Sequence, residues 1–286
     1  MKIQAAAIQM RSDILDLDAN LQRADALLRS AREQGAELAV FPELFNTGYS
    51  LCPDFGPFSE SADGPTLSYL RQRSRAWNMV IAGGYVEREG RHLYDSLAVC
   101  TPDGGLKVYR KRNLVFWERF RFRPGDSPLV VPTRFGRIGF AICADMIYRR
   151  VWEDYRGRID LAVVSAAWPD FACRQTGRRH WLLGHVGPLS HAIPAKVARD
   201  LGVPVVFANQ CGETKTTIPV LRATILDRFA GQSSICDGRH GVPVHADREE
   251  SVLVAPVTIH NQRGLKSWSF TSHSAAAGSS SASARS

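Results

Sequence analysis

Arg137-Ile-Gly-Phe-Ala-Ile-Cys-Ala-Asp145 is an apolar run that stops at a thiol and turns at once towards a helix. Such a run reads as a buried strand, which fixes Cys143 at a strand end beside the amides of the next turn. A nucleophile is mounted this way: the strand holds it, and backbone N–H groups face whatever it attacks. Alone, a cysteine in this position is more often plain core. Two more segments, however, place a charged residue just after a similar run: Glu37-Leu-Ala-Val-Phe-Pro-Glu43 and Leu106-Lys-Val-Tyr-Arg-Lys111.

Outward from Cys143, a helix is expected near 147–156 and strands at 159–165 and 203–209. Residues 178–201 read as mostly helical, broken or bent at Gly187-Pro188 and Pro194. Towards the start, strands fall at 2–9 and 37–41. Between them Leu17, Leu21, Ala24, Leu28 and Ala31 form one helical stripe, with Asp16 or Asp18 to cap it and Gly35 beyond its end. A helix at 66–77 follows Pro65, and strands at 79–86, 95–101, 105–110 and 129–132 lead back to Cys143. Residues 233–236 and 251–258 are further strands. Strand–helix–strand units at the front and after Cys143, with hairpins between, indicate an α/β layered fold on a single core. From residue 271 the chain is Ser/Ala-rich, so a domain over 1–270 and a flexible tail over 271–286 are expected.

The chain has 286 residues, enough for one large domain or two small ones. Its apolar runs are far shorter than the ~18 residues that span a bilayer, and its start is too soon polar for a secretion signal. A cytoplasmic protein with no membrane association is expected. Six cysteines are scattered without a Cys-x-x-Cys pair, which argues for reduced thiols and against zinc. The net charge of +8 raises nucleic-acid binding, but no recognition motif accompanies it. The basic, aromatic stretch Arg110 to Arg123 contains Glu118 and ends in the turn Pro124-Gly-Asp126. It reads better as a loop around an active site.

Glutamate, lysine and cysteine suffice for acyl transfer through a thioester. A carboxylate in a poorly solvated site takes the thiol proton, and an ammonium beside a backbone N–H steadies the charge that develops on the attacked group. No spacing rule brings these three residues together in space. As rivals, a Cys–His pairing lacks a local signature, with His180 and His185 five apart. A serine elbow fails in Gly231-Gln-Ser-Ser-Ile235.

The segments resemble the nitrilase superfamily, the carbon–nitrogen hydrolases. Gly35-Ala-Glu-Leu-Ala-Val-Phe-Pro-Glu-Leu-Phe-Asn-Thr-Gly-Tyr49 is similar to the family's glutamate block, Tyr109-Arg-Lys-Arg-Asn-Leu114 to its lysine block, and Gly139-Phe-Ala-Ile-Cys-Ala-Asp145 to its cysteine block. The resemblance spans residues 2 to about 258. It implies a single-domain four-layer α-β-β-α sandwich, Cys143 as nucleophile, Glu43 as general base, and Lys111 with the Ala144 N–H as oxyanion partners. Glu118 would be an additional active-site glutamate. It also implies a homodimer or higher homo-oligomer, and neither cofactor nor metal.

Departures from the family pattern bear on substrate. Nitrilases typically follow the cysteine with Trp-Glu; here Ala144-Asp145 follows, the habit of amidase-like members. A small amide or N-carbamoyl substrate is therefore expected. Nitrile hydrolysis, acyl transfer to an amine and a catalytically silent interaction protein stand as alternatives. Tyr49, Trp117, Tyr148 and Trp168, together with Phe116, are aromatic candidates for substrate contact. Asp95, in Tyr94-Asp-Ser96, stands where the family usually has asparagine, and if buried it needs a donor partner.

Overall fold

Alternation along the first strand sorts the whole molecule. In β1 (Lys2–Gln9), Ala5 and Ala7 point to one side of the sheet and Ala6 and Ile8 to the other, and each pair joins a different apolar cluster. The computed structural model describes residues 1–50, 54–115, 117–170, 187–218, 223–238 and 244–260. Phe116, the expected helical stretch 178–186 and the tail 271–286 lie outside the described residues.

After β1 come α1 (Leu17–Glu33), β2 (Leu38–Val40), α2 (Pro65–Trp77), β3 (Val80–Glu89), β4 (His92–Cys100) and β5 (Leu106–Arg110). Next are β6 (Val130–Thr133), β7 (Gly136–Ile142), α3 (Arg149–Glu153), β8 (Leu161–Ala166), α4 (Leu189–Leu201) and β9 (Val205–Asn209). A hairpin of β10 (Glu213–Ile218) and β11 (Ala223–Arg228) precedes β12 (Ser234–Cys236), β13 (Val244–His245) and β14 (Ser251–Thr258). One six-stranded sheet has the order β14-β1-β2-β3-β4-β5; the other runs β13-β12-β9-β8-β7-β6. In the first, β1, β2 and β3 are parallel, as are β7, β8 and β9 in the second.

Helix α1 starts where Asp16 accepts from Ala19 N at 3.1 Å, and past its end Gly35 takes φ 83°. Its Ala24, Leu28 and Ala31 pack with Leu67 and Leu70 of α2 on the outer face of the first sheet. The inner face, including Leu38, Val40 and Val99, packs on Phe140, Val163 and Phe207 of the second sheet. Beyond that sheet lie Val151 and Trp152 of α3 and Val197 of α4. This is the four-layer α-β-β-α sandwich. The expected single core is corrected in one respect: the first sheet divides the apolar interior, because both of its faces are buried.

Two local expectations also change. The helix near 147–156 is a 3-10 stretch over Cys143–Ile147 followed by only the five residues of α3. Of the break or bend expected at Pro194, the break is absent, since α4 runs through it. Proline forfeits the bond to the residue four earlier, here Ser190, which is only second in the helix, so little is lost. Among the described residues no helix is long and apolar enough to cross a membrane.

Candidate active site

Glu43 is delivered by the run-on of β2. Phe41 N donates to Ala82 O (2.8 Å), Gly84 N to Pro42 O (3.2 Å) and Phe45 N to Gly84 O (3.1 Å), so the chain stays zipped to β3 as it turns. Only glycine at 84 permits this approach, since a Cβ there would lie 2.6 Å from both Glu43 Cα and Leu44 N. Leu44 turns with φ 47°, a left-handed conformation that costs a leucine ~1–2 kcal/mol. The Glu43 side chain is fully buried. Its Oε2 accepts from Ala167 N at 2.7 Å, just past β8, and its backbone oxygen accepts from Gln210 Nε2 at 2.8 Å.

Lys111 follows β5, its backbone N donating to Asp95 O at 2.9 Å and its carbonyl accepting from Gly125 N at 2.8 Å. The ammonium is buried and donates to Glu43 Oε1 and to Glu118 Oε1, each at 2.6 Å; Asp95 Oδ2 stands 3.3 Å away. Glu118 opens a 3-10 turn, Glu118–Phe120. Its Oε2 accepts from Val115 N at 2.9 Å, and its Oε1 also accepts from the Tyr49 hydroxyl at 2.8 Å. That hydroxyl in turn accepts from Trp117 Nε1 at 2.8 Å. The cation at the centre of the three carboxyls, whose oxygens lie within 4.8 Å of one another, is the Lys111 ammonium.

Cys143 leaves β7 with φ 45°. A non-glycine residue in that region is held there by its surroundings, at a cost of order 1–3 kcal/mol. Asp145 supplies the hold. Its buried carboxylate accepts from Tyr109 OH, Asn113 N and Asn113 Nδ2, each at 2.8 Å, and from Ile142 N at 3.2 Å. One side chain thus ties the cysteine turn to the segment that carries Lys111. Ala144, buried next to the sulfur, is the second residue of the 3-10 stretch, whose first amides have no partner within it.

Burial and its neighbours set the charges. Burial, and after it Glu43, pushes the Cys143 thiol up, so the resting sulfur keeps its proton. Burial works against the Lys111 ammonium, yet the charges of Glu118 and then Glu43 outweigh it and hold its pKa above the usual lysine range. Burial raises Glu118, against the pull of Lys111. A neutral thiol, a carboxylate with one oxygen on an amide and one on an ammonium, and a permanent cation together suit proton removal followed by attack on an electrophilic carbon.

Of the sequence candidates, Glu43, Lys111, Glu118 and Cys143 converge. Tyr49 and Trp117 converge too, as a hydrogen-bonded chain that steadies Glu118. Trp168 is buried, its N donating to Asn209 Oδ1 at 2.7 Å, directly after the amide that binds Glu43. Tyr148 is exposed and lines a cleft with Arg112, Arg119, Arg121 and Arg123. Arg149 and Arg150 also face solvent. Sequence reasoning missed the roles of Gly84, Asp145 and the amide of Ala167. Only Gly84 carried a local sign, a glycine pair inside a strand pattern, which marks a close backbone approach.

The family profile described as carbon-nitrogen hydrolase matches residues 4–266. A protein of Pyrococcus abyssi named nitrilase is 35% identical over 150 residues, covering 51% of this chain and 57% of that protein, which is under two thirds of its length. An omega-amidase of Mus musculus is 29% identical over 265 residues, covering 89% of this chain and 88% of its own. In fold, a CN-hydrolase superfamily protein of Xanthomonas campestris with an arsenic adduct in its active site superposes with a TM-score of 0.72 at 23% identity, over 90% of this chain and 91% of that one. An amidase of Nesterenkonia superposes at 0.71 with 22% identity, over 89% of each chain.

Proposed function

The chain belongs to the carbon–nitrogen hydrolase family, and from that premise we propose that it cleaves an amide or N-carbamoyl group of a small molecule through a thioester on Cys143. One observation carries this reading: a buried ammonium is shared by two glutamates beside a buried thiol at a strained strand end. In the proposed sequence Glu43 takes the thiol proton as sulfur attacks the carbonyl carbon. Lys111 and the Ala144 N–H face the oxygen that gains charge. Glu43 then gives its proton to the leaving nitrogen, ammonia or an amine departs, and a thioester is left. Water, deprotonated by Glu43 and oriented by Glu118, attacks the thioester to release the acid and restore the thiol.

Ala144-Asp145 after the nucleophile supports an amide rather than a nitrile, as does similarity to a protein named omega-amidase over most of both chains. The relative named nitrilase favours nitrile hydrolysis as the second reading. The same proposal includes a homo-oligomer and a cytoplasmic location, the latter supported by the free thiols of Cys100, Cys143, Cys211 and Cys236. It requires neither cofactor nor metal. The test is ammonia release from a panel of primary amides, N-carbamoyl compounds and nitriles, with the intact protein and with Cys143→Ala. The variant should lose ~10⁴-fold or more in kcat, and quenched turnover should leave an acyl mass on the Cys143 peptide. Unchanged hydrolysis by the variant would sink the assignment.

A further inference from the structure

Lys111 is one cation among three buried carboxyls, and the three are not treated alike. Glu43 accepts on both oxygens, from Lys111 Nζ and Ala167 N. Glu118 does so as well, from Lys111 Nζ and the Tyr49 hydroxyl on one oxygen and from Val115 N on the other. Asp95, fully buried on β4, has no hydrogen-bond donor on either oxygen among the described residues. Its Oδ2 stands 3.3 Å from Lys111 Nζ, an electrostatic contact without hydrogen-bond alignment. Its carboxyl instead shares a cluster with those of Glu43 and Glu118, one oxygen of each lying within 4.8 Å of the others. Two carboxylates that close repel, and neither has a proton to offer the other.

A cluster with one cation and three carboxyls lowers its energy by keeping a proton, and the donor pattern decides where. An ionised carboxylate without donors is the most costly of the three, whereas a neutral carboxylic acid supplies a donor of its own. We infer that Asp95 is held as the neutral acid, donating to Glu43, and acts as a positioning residue that steadies the Glu43 carboxyl and leaves the Lys111 ammonium free of a third anion. Burial first, and the Glu43 charge second, push the Asp95 carboxyl in the same direction. The groups that face it are Glu43 after β2, Lys111 after β5 and Glu118 in its 3-10 turn; next to these stand Tyr49 and the Cys143 thiol. The inference rests on the proposed roles of Glu43, Lys111 and Cys143, but its primary test needs no turnover.

That test is carbon-13 NMR of the intact protein with labelled aspartate. At neutral pH one carboxyl resonance should have the shift of the protonated acid, and it should vanish in Asp95→Asn. A spectrum of ionised aspartates only would overturn the inference, whether or not the protein hydrolyses any amide. Kinetics give the second reading. When Asp95 loses its proton at high pH, the new anion competes for Lys111 and hinders thiol ionisation, so kcat should fall about tenfold per pH unit. Asp95→Asn keeps a neutral donor that cannot ionise and should move this alkaline limb upward. Asp95→Ala lacks the donor as well as the charge, so its kcat should lie below that of Asp95→Asn at every pH. Superimposable profiles for the intact protein and Asp95→Asn would overturn the assignment. Stability must agree in sign. A carboxyl raised on folding binds protons in the folded state, so it costs stability as pH rises from the unfolded value of about 4 through its folded value. The melting temperature of Asp95→Asn should therefore gain on that of the intact protein with rising pH.

Discussion

The first sheet brings charge to the site and the second brings a thiol and an amide. Glu43 leaves β2, Asp95 sits on β4 and Lys111 follows β5, whereas Cys143 ends β7 and the amide of Ala167 follows β8. The first group forms a closed account of charge in which every member is buried against another. The second is electrically neutral at rest and is held by backbone conformation and by Asp145. Chemistry and stability should therefore separate: a change on the first side disturbs both, and a change at the sulfur disturbs chemistry alone.

The hardest strain on that contrast is Lys111→Met. It leaves buried carboxyls without their cation, and breaking such a cluster costs ~3–5 kcal/mol. Losing the ammonium should also lower kcat by ~10²-fold or more. Without the cation the folded carboxyl pKa values rise above the unfolded ~4, so the folded state binds the extra protons. The stability deficit, measured by urea unfolding, should shrink as pH falls from neutral towards that value. A deficit that is independent of pH would mean that the charges are not what ties the cluster to the fold.

Gly84→Ala asks whether the first side depends on backbone path as well as charge. The added Cβ meets Glu43 Cα and Leu44 N, both backbone atoms that cannot swing aside. A displacement of ~1 Å at Glu43 should cost about 10²-fold in kcat, with a lower melting temperature. Full activity would show that the Glu43 turn relaxes freely. The smallest effect is expected from Tyr49→Phe, which removes the donor to Glu118 and strands Trp117 Nε1. A stability loss of ~1–3 kcal/mol and a kcat reduction within about tenfold should follow. A larger kinetic loss would move Tyr49 from supporting Glu118 to contacting substrate.

The ends of β2, β5 and β7 were legible because an apolar run followed by a charged or nucleophilic residue is a local pattern. The layered architecture followed from alternating strand and helix signals. What stayed hidden is pairing across distance. Nothing near Glu43 announces the amide of Ala167, 124 residues on. Asp145 looked like a marker of substrate branch, yet the structure makes it the anchor of the cysteine turn, since its donors come from Tyr109, Asn113 and Ile142. Asp95 was legible as a departure, and its burial as a condition, but the absence of any donor could be seen only in three dimensions. The arginines of 110–123 were read as one basic loop; the fold splits them from Lys111 and Glu118, which turn inward while Arg121 and Arg123 line an outer cleft.

The pairing of β1 with β14 has a consequence for synthesis. Lys2 opposes Thr258 and Gln9 opposes Ser251, so β1 waits for a partner made roughly 250 residues later. At ~5–20 residues per second a ribosome takes roughly 12 to 50 s to supply it. Through that interval Lys2-Ile-Gln-Ala-Ala-Ala-Ile-Gln9 has an uncovered edge, with Lys2 as the one charge to discourage a stranger's strand. The nascent chain is thus exposed to mispairing at β1 until β14 has been made, and the first sheet can close only then.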